Sequence, residues 1–189
     1  MRTAAGRLVF IFLIVVGLNA CSSPSPPSQL GTGGIKPGEP MPPVALMRLD
    51  NAVGAQLRDY QGRVVVLNLW GTWCAACRRE LPSLERLARV LDKERFAVLG
   101  IALESDGYLV QEYLRDRGVT FAEHIAPDYK ALVEQLGAKV FPTTLIVSSS
   151  GTLLARIVGE RVWNTDDVVR QLEGVYRGEL TTINVKHEM

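Results

Sequence analysis

The sequence has few cysteines and histidines. Three cysteines and two histidines in 189 residues exclude a disulfide-rich framework, because one pair at most is left once any one cysteine is used elsewhere. Long apolar runs are also missing. Leu8–Leu18 holds eleven residues, short of the ~20 that a helix needs to cross the hydrocarbon core, and no later segment is longer. Charge of one sign is missing as well: the formal net charge is +1, and beyond the first twenty residues 19 basic residues face 20 acidic ones. Nothing electrostatic therefore invites nucleic acid. There is no glycine-rich phosphate loop, no Ser-His-Asp arrangement and no internal repeat.

What is present at the N-terminus has the order of an export signal. Arg2 and Arg7 precede the apolar run, and Leu18-Asn19-Ala20-Cys21 resembles a bacterial lipobox, with Asn19 in place of the usual small residue. That resemblance implies a signal peptide over 1–20 and a lipid on Cys21, with Ser22 resembling an outer-membrane sorting residue. A Ser/Pro/Gly-rich tether follows through 38. Acyl chains contribute roughly 0.8 kcal/mol of membrane affinity per buried CH₂, so lipid plus tether is a workable anchor. The globular domain is expected over 39–180 and a frayed tail over 181–189.

Within the body, periodicity predicts alternating strands and helices. Val44–Leu49 and Gln56-Leu57 read as a short N-terminal hairpin around Asp50–Gly54. Val64–Trp70 (VVVLNLW) and Phe96–Leu103 (FAVLGIAL) read as strands buried on both faces. Between them Leu81, Leu84, Leu87, Ala88 and Leu91 mark a helix, with Arg78, Arg79, Glu85, Arg86 and Arg89 assigned to its solvent face. Helices are expected over 107–117 and 129–136, ended by Gly118 and Gly137, with a short strand over 119–123 before the second. Thr143–Val147 and Leu153–Val158 form an antiparallel pair, and a last helix opens at Asn164 or Thr165. The order implies an α/β fold with a central sheet between helices.

Cys74 and Cys77 lie where a buried strand passes into a helix. There the free N–H groups and positive end of the helix favour thiolate over thiol at Cys74, while Cys77 lies one turn along and is more shielded. This asymmetry makes Cys74 the attacking sulfur and Cys77 the resolving one. The spacing alone also fits half a metal site. Ala75 and Ala76 between the cysteines bring no charge to stabilise a thiolate further, which favours a reductase over a strong oxidant. His124, before Ala126-Pro127, reads as a surface loop residue, and His187 lies in the tail.

The run VVVLNLWGTWCAACRRELP, the later FPTT and the strand-turn-strand LIVSSSGTLLARIVG resemble the thioredoxin superfamily, and within it the TlpA/ResA-like thiol–disulfide oxidoreductases. The likeness runs over about 39–176. It implies a thioredoxin-like fold with an N-terminal β-hairpin and a central strand/helix insertion, and a redox-active Cys74–Cys77 disulfide. It also implies a cis Pro142 facing that disulfide and a substrate-docking surface of Trp73, Phe141, Pro142 and Thr143. Trp73 is expected to be exposed and Pro82 to kink its helix. Thioredoxin keeps a buried acid on the strand behind the disulfide where this chain has Asn68. Glu80 matches an acid that ResA-like proteins carry near the pair, and could accept a proton from Cys77.

By the same resemblance the protein needs no cofactor and no metal. Its electrons would come from a transmembrane thiol carrier of the DsbD/CcdA kind and pass to envelope proteins with disulfides, commonly an apocytochrome c. Two other functions stay open on sequence: a copper or soft-metal chaperone using the same thiolates, and a general disulfide oxidant or isomerase. A peroxidase is disfavoured, since no Pro-x-x-x-Thr-x-x-Cys precedes either thiol.

Overall fold

The computed structural model describes residues 34–186, apart from 53 and 127. The expected signal segment, Cys21, Ser22 and His187 lie outside the described residues. Five strands form one sheet: β1 Val64–Trp70, β2 Phe96–Ala102, β3 Ala122–Ile125, β4 Thr143–Val147 and β5 Leu153–Val158. Among the described residues four α-helices flank it: α1 Ala75–Val90, α2 Gly107–Arg117, α3 Tyr129–Leu136 and α4 Asp166–Tyr176. The strand order is β3-β2-β1-β4-β5. β1 runs parallel to β2 and β2 to β3, while β4 is antiparallel to both β1 and β5. No helix among the described residues is long and apolar enough to cross a membrane.

β1 is the central strand of the sheet, and all seven of its residues are buried. Successive side chains point to opposite faces, so Val64 and Val66 pack with Leu84, Leu87, Val168 and Leu172 beneath α1 and α4. Val65, Leu67 and Leu69 pack on the opposite face with Leu46, Leu132 and Leu136. A third cluster, with Trp70, Cys74, Cys77, Leu81, Val110 and Leu114, fills the end of the sheet under α2. The redox pair thus sits on packed core rather than on a free loop.

The structure revises several sequence expectations. The return strand of the N-terminal hairpin reduces to one bridge, Ala45 to Gln56. Leu57 begins a 3-10 turn instead, because the Gln56 N–H donates to Asp59 Oδ2 at 2.8 Å and the chain caps itself. Met47 instead pairs with Ile125 at the edge of β3. At the C-terminus 181–186 is no frayed tail: Ile183 and Val185 are buried against the α4 face, and the Val185 carbonyl accepts from Arg161 Nε at 3.0 Å.

Glu85 is the largest correction. It does not face solvent but is buried between α1 and the approach to β3. Its carboxylate accepts the Thr120 N–H at 2.7 Å, the Thr120 hydroxyl at 2.8 Å and the Phe121 N–H at 3.1 Å, and pairs with Arg89 at 2.7 Å. Those amides are taken, which is why β3 starts at Ala122 and not at 119. Burial pushes the Glu85 carboxyl up, but these donors outweigh it and hold it below the usual range. His124 is likewise in β3 and buried, with Nδ1 3.3 Å from the Gly100 carbonyl, and not on a surface loop. Burial lowers its pKa, against the contact with Gly100.

Glu85→Ala should therefore cost about 2–3 kcal/mol by chemical denaturation, because it strands buried backbone donors. A loss under about 0.5 kcal/mol, as at an ordinary surface position, would show that water replaces the carboxylate at no cost.

Candidate active site

The site is built at the place where β1 leaves the core. Trp70 is the last residue of the strand and Cys74 is the N-cap of α1. The three residues between cannot be paired by the sheet, so they need other partners. Glu104, just past β2, provides them: its Oε1 accepts the Thr72 N–H at 2.6 Å and the Thr72 hydroxyl at 2.5 Å. Gly71 has no side chain because the Trp73 ring lies over it; a methyl group there would fall 2.5 Å from the indole. The ring is thereby turned outward, 59% exposed, edge-on to Phe141 with centroids 5.9 Å apart.

Cys74 and Cys77 form a disulfide, with Cα atoms 5.3 Å apart. Cys74 Sγ accepts the Cys77 N–H at 3.2 Å, one of the free donors of the first helical turn. Cys74 retains 8% exposure and Cys77 1%. The two sulfurs are therefore unequal in the sense that the helix start demands. The outer one meets the helix dipole and a solvent path, and the inner one is enclosed by Leu81 and α2.

The Phe141-Pro142 bond is cis. Phe141 packs against the cluster that holds the two cysteines, and exposed Val140 extends the apolar rim beside Trp73. Thr143 is buried at the start of β4. Its hydroxyl donates to the Val140 carbonyl at 2.6 Å, while the Pro142 carbonyl accepts the Gly159 N–H at 2.8 Å. Those two bonds fix the turn from both sides. Of the residues expected to dock a partner, Trp73 and Phe141 meet edge-on, while Pro142 and Thr143 are buried.

Glu80 is not a solvated helix-face residue. It is 1% exposed, one turn beyond Cys77, and its Oε1 accepts Trp163 Nε1. Ser83 strengthens the same junction: its hydroxyl donates to the Glu80 carbonyl at 2.8 Å and accepts the Trp163 N–H at 3.3 Å. Asn68 donates to Thr144 Oγ1 at 2.9 Å and also approaches the carboxyl, as does the Arg161 backbone, yet Glu80 Oε2 has no hydrogen-bond partner. Burial pushes the Glu80 pKa up to about 7, against the pull of the Trp163, Arg161 and Asn68 donors. Pro82 lies inside α1, where its missing N–H leaves one helical carbonyl without its usual donor.

Trp163, Thr72, Glu104 and Glu123 were not foreseen as parts of the site. Trp163, Glu104 and Glu123 are distant in sequence from the cysteines, while Thr72 lies two residues before Cys74, and no spacing rule points to any of them. The one usable signal is that a buried tryptophan N–H seeks an acceptor. Among the described residues no group of three or more His, Cys, Asp or Glu side chains is arranged to hold a metal.

A two-cysteine turn at a helix start, unequal sulfurs, a cis proline and a sheet of this order define a thiol–disulfide oxidoreductase of thioredoxin-like fold. The chain belongs to the Redoxin family, whose model matches residues 36–172. It is 29% identical over 120 residues to the thiol-disulfide oxidoreductase ResA of Geobacillus thermodenitrificans, covering 64% of this chain and 67% of that one. It is also 29% identical over 123 residues to the thioredoxin-like protein YneN of Bacillus subtilis, covering 64% and 70%. Among solved structures, a thiol:disulfide interchange protein DsbE from Chlorobium tepidum superposes with a TM-score of 0.67 at 22% identity. That match covers 76% of this chain and 99% of the other. The last likeness is one of fold.

The raised Glu80 pKa has a consequence for stability. The unfolded carboxyl ionises near 4.5 and the folded one near 7, so between those values the folded state holds a proton that the unfolded state has lost. Stability must then fall as pH rises through this window. Glu80→Gln should flatten that part of the decline, read as denaturation midpoints at about pH 5 and about pH 8. An undiminished decline in the variant would mean that Glu80 ionises freely in the fold.

Proposed function

We propose that the protein is an extracytoplasmic reductase of protein disulfides. The observation that carries this reading is the inequality of Cys74 and Cys77 at the start of α1, with the buried Glu80 one turn beyond them. In the reduced protein the Cys74 thiolate attacks one sulfur of a partner disulfide. That S–S bond breaks, a Cys74–partner bond forms, and the other partner sulfur leaves as a thiolate that takes up a proton. Cys77 then loses its proton, with Glu80 as the acceptor, and attacks Cys74 Sγ. The mixed disulfide breaks, the second partner sulfur leaves as a thiolate that takes up a proton to complete the dithiol, and the Cys74–Cys77 disulfide re-forms. Two electrons have moved to the partner.

The uncharged Ala75-Ala76 pair supports this direction, because it adds nothing to stabilise the reduced form. Exposed Trp73 and Val140, with half-buried Phe141, supply an apolar rim for an extended partner chain, which could pair with the backbone at Phe141 as an added strand. Repeated turnover requires a donor of two electrons, and a transmembrane thiol carrier of the DsbD/CcdA type fits an enzyme tethered by a lipid on Cys21. An apocytochrome c, whose haem-binding cysteines must be reduced, is a fitting substrate. The relatives named thiol-disulfide oxidoreductase ResA support the reaction class.

Trapping tests the exchange itself. Cys77→Ser should leave Cys74 joined to its partner as a mixed disulfide that mass spectrometry identifies and reductant releases. No adduct that depends on Cys74 would overturn the mechanism. Glu80→Gln should slow the reduction of a protein disulfide by about 100-fold, the lower range for loss of a positioned acid–base group. Unchanged rates across pH would remove Glu80 from the proton path.

A further inference from the structure

Glu123 is a second carboxyl buried behind the cysteine pair, and the exchange chemistry described above does not use it. It pairs in register with Gly100, which pairs with Asn68, which pairs with Thr144. These four residues form one row across the sheet and share a face. Asn68 is the residue that approaches Glu80. Glu80 and Glu123 therefore lie on the same side of the sheet, toward opposite ends of one row. Trp70, two residues beyond Asn68, shares that face.

Three details show a place made for the Glu123 carboxyl. Its Oε2 accepts Trp70 Nε1 at 2.9 Å, and the fully buried indole has no other polar atom. Gly100 makes the room: a methyl group there would lie 2.1–2.4 Å from the carboxyl atoms. The other oxygen, Oε1, is buried and has no partner. Trp70 in turn belongs to the cluster that encloses Cys74 and Cys77, and it ends the strand from which the Gly71–Cys74 turn springs.

We propose that Glu123 is a positioning residue for the cysteine pair: it holds the Trp70 indole behind the disulfide and places a second buried carboxyl on the sheet face that carries Glu80. The inference rests on the exchange reading above and deepens it. Burial pushes the Glu123 pKa up to about 8, and the Glu104 and Glu85 carboxyls add to the rise, while the Trp70 donor opposes it. From α2, Gln111 and Arg115 line the pocket of about 270 Å³ that Glu123 borders. Arg115 already lies near Glu112 and Asp116, at 3.7 and 3.5 Å. Tyr113 packs on Trp70 with ring centroids 5.8 Å apart, and its hydroxyl is unpartnered. His124 belongs to the opposite face of β3. Around neutral pH Glu123 is therefore mostly protonated, and its ionisation at higher pH puts a negative charge behind Cys74 that opposes thiolate formation.

The test uses the reduced full chain with Glu123→Gln and Glu123→Val, read in two ways. Ultraviolet thiolate absorbance against pH should show the upper half of the Cys74 curve moved to lower pH in Glu123→Gln, by at least about threefold in proton concentration. The rate of insulin-disulfide reduction at about pH 6, where Glu123 holds its proton, should fall about tenfold in Glu123→Val but stay within about twofold of wild type in Glu123→Gln, which keeps an acceptor for Trp70. A Glu123→Gln thiolate curve that superimposes on wild type overturns the proposal, and so does a wild-type rate in Glu123→Val. If the valine variant does not fold, the glutamine titration alone decides. The titration needs no partner. A shifted curve in a protein that reduces no disulfide would overturn the exchange reading and leave the coupling of Glu123 to Cys74 standing.

Discussion

The whole site depends on one junction, where a strand buried on both faces must stop and a helix must begin within four residues. β1 is paired in register with β2 on one side and with β4 on the other. Past Trp70 that pairing ends, and the first turn of α1 presents N–H groups with no helical acceptor. Cys74 occupies the cap, and its sulfur takes one of those donors from Cys77. A serine or aspartate would cap a helix as well, but only sulfur turns that unmatched donor into a means of favouring a nucleophile. The turn itself is held by Glu104 through Thr72 and by the Trp73 ring folded over Gly71. The reactive sulfur is fixed from the strand side, the helix side and the far end of β2 together.

The same junction explains why acids cluster there. The face of the sheet beneath α1 is apolar over Val64, Val66 and Val98 but polar from Asn68 outward, where Glu80, Thr144 and Glu123 approach it. Two of these are carboxyls buried enough to hold protons near neutral pH. A carboxylate in such a place costs free energy unless it is well supplied with donors. Each receives one indole N–H, Glu80 from Trp163 and Glu123 from Trp70, and each keeps one buried oxygen without a hydrogen-bond partner. That pattern suits groups which exchange a proton, whereas Glu85, saturated with donors, is held ionised as a structural acceptor. These three glutamates thus differ in protonation because their donor supplies differ.

Much of this architecture was legible in the chain. β1 and β2 stood out because unbroken apolar runs leave a buried strand as the only economical conformation, and α1 because its leucines recur at helical spacing. The cysteine roles followed from the same boundary. The charged residues were harder to read. Glu85 has the periodicity of a solvent-facing position next to Arg86 and Arg89, and only the approach of 120–121, thirty-odd residues away, draws it inward. His124, before Ala126-Pro127, reads as loop chemistry because β3 has four residues and no clean alternation. Ile183 and Val185 pack because the turn after α4 brings them back to the sheet, a return that no local pattern encodes.

Asn68 joins these observations to the direction of electron flow. It stands on the central strand where a titrating acid could have sat directly beneath the sulfurs, and it instead spends its amide on Thr144 and on the approach to Glu80. The acids are displaced to either side, one on the helix that carries Cys77 and one on the strand that supports Trp70. In the proposed exchange, proton acceptance by Glu80 is thereby separated from the nucleophile: Glu80 is one helical turn from the buried sulfur, while Cys74 meets a backbone donor. A carboxylate directly under both sulfurs would oppose each thiolate equally. In the proposed exchange, two displaced carboxyls would affect the sulfurs unequally, so that Cys74 attacks first and Cys77 waits for its proton to leave.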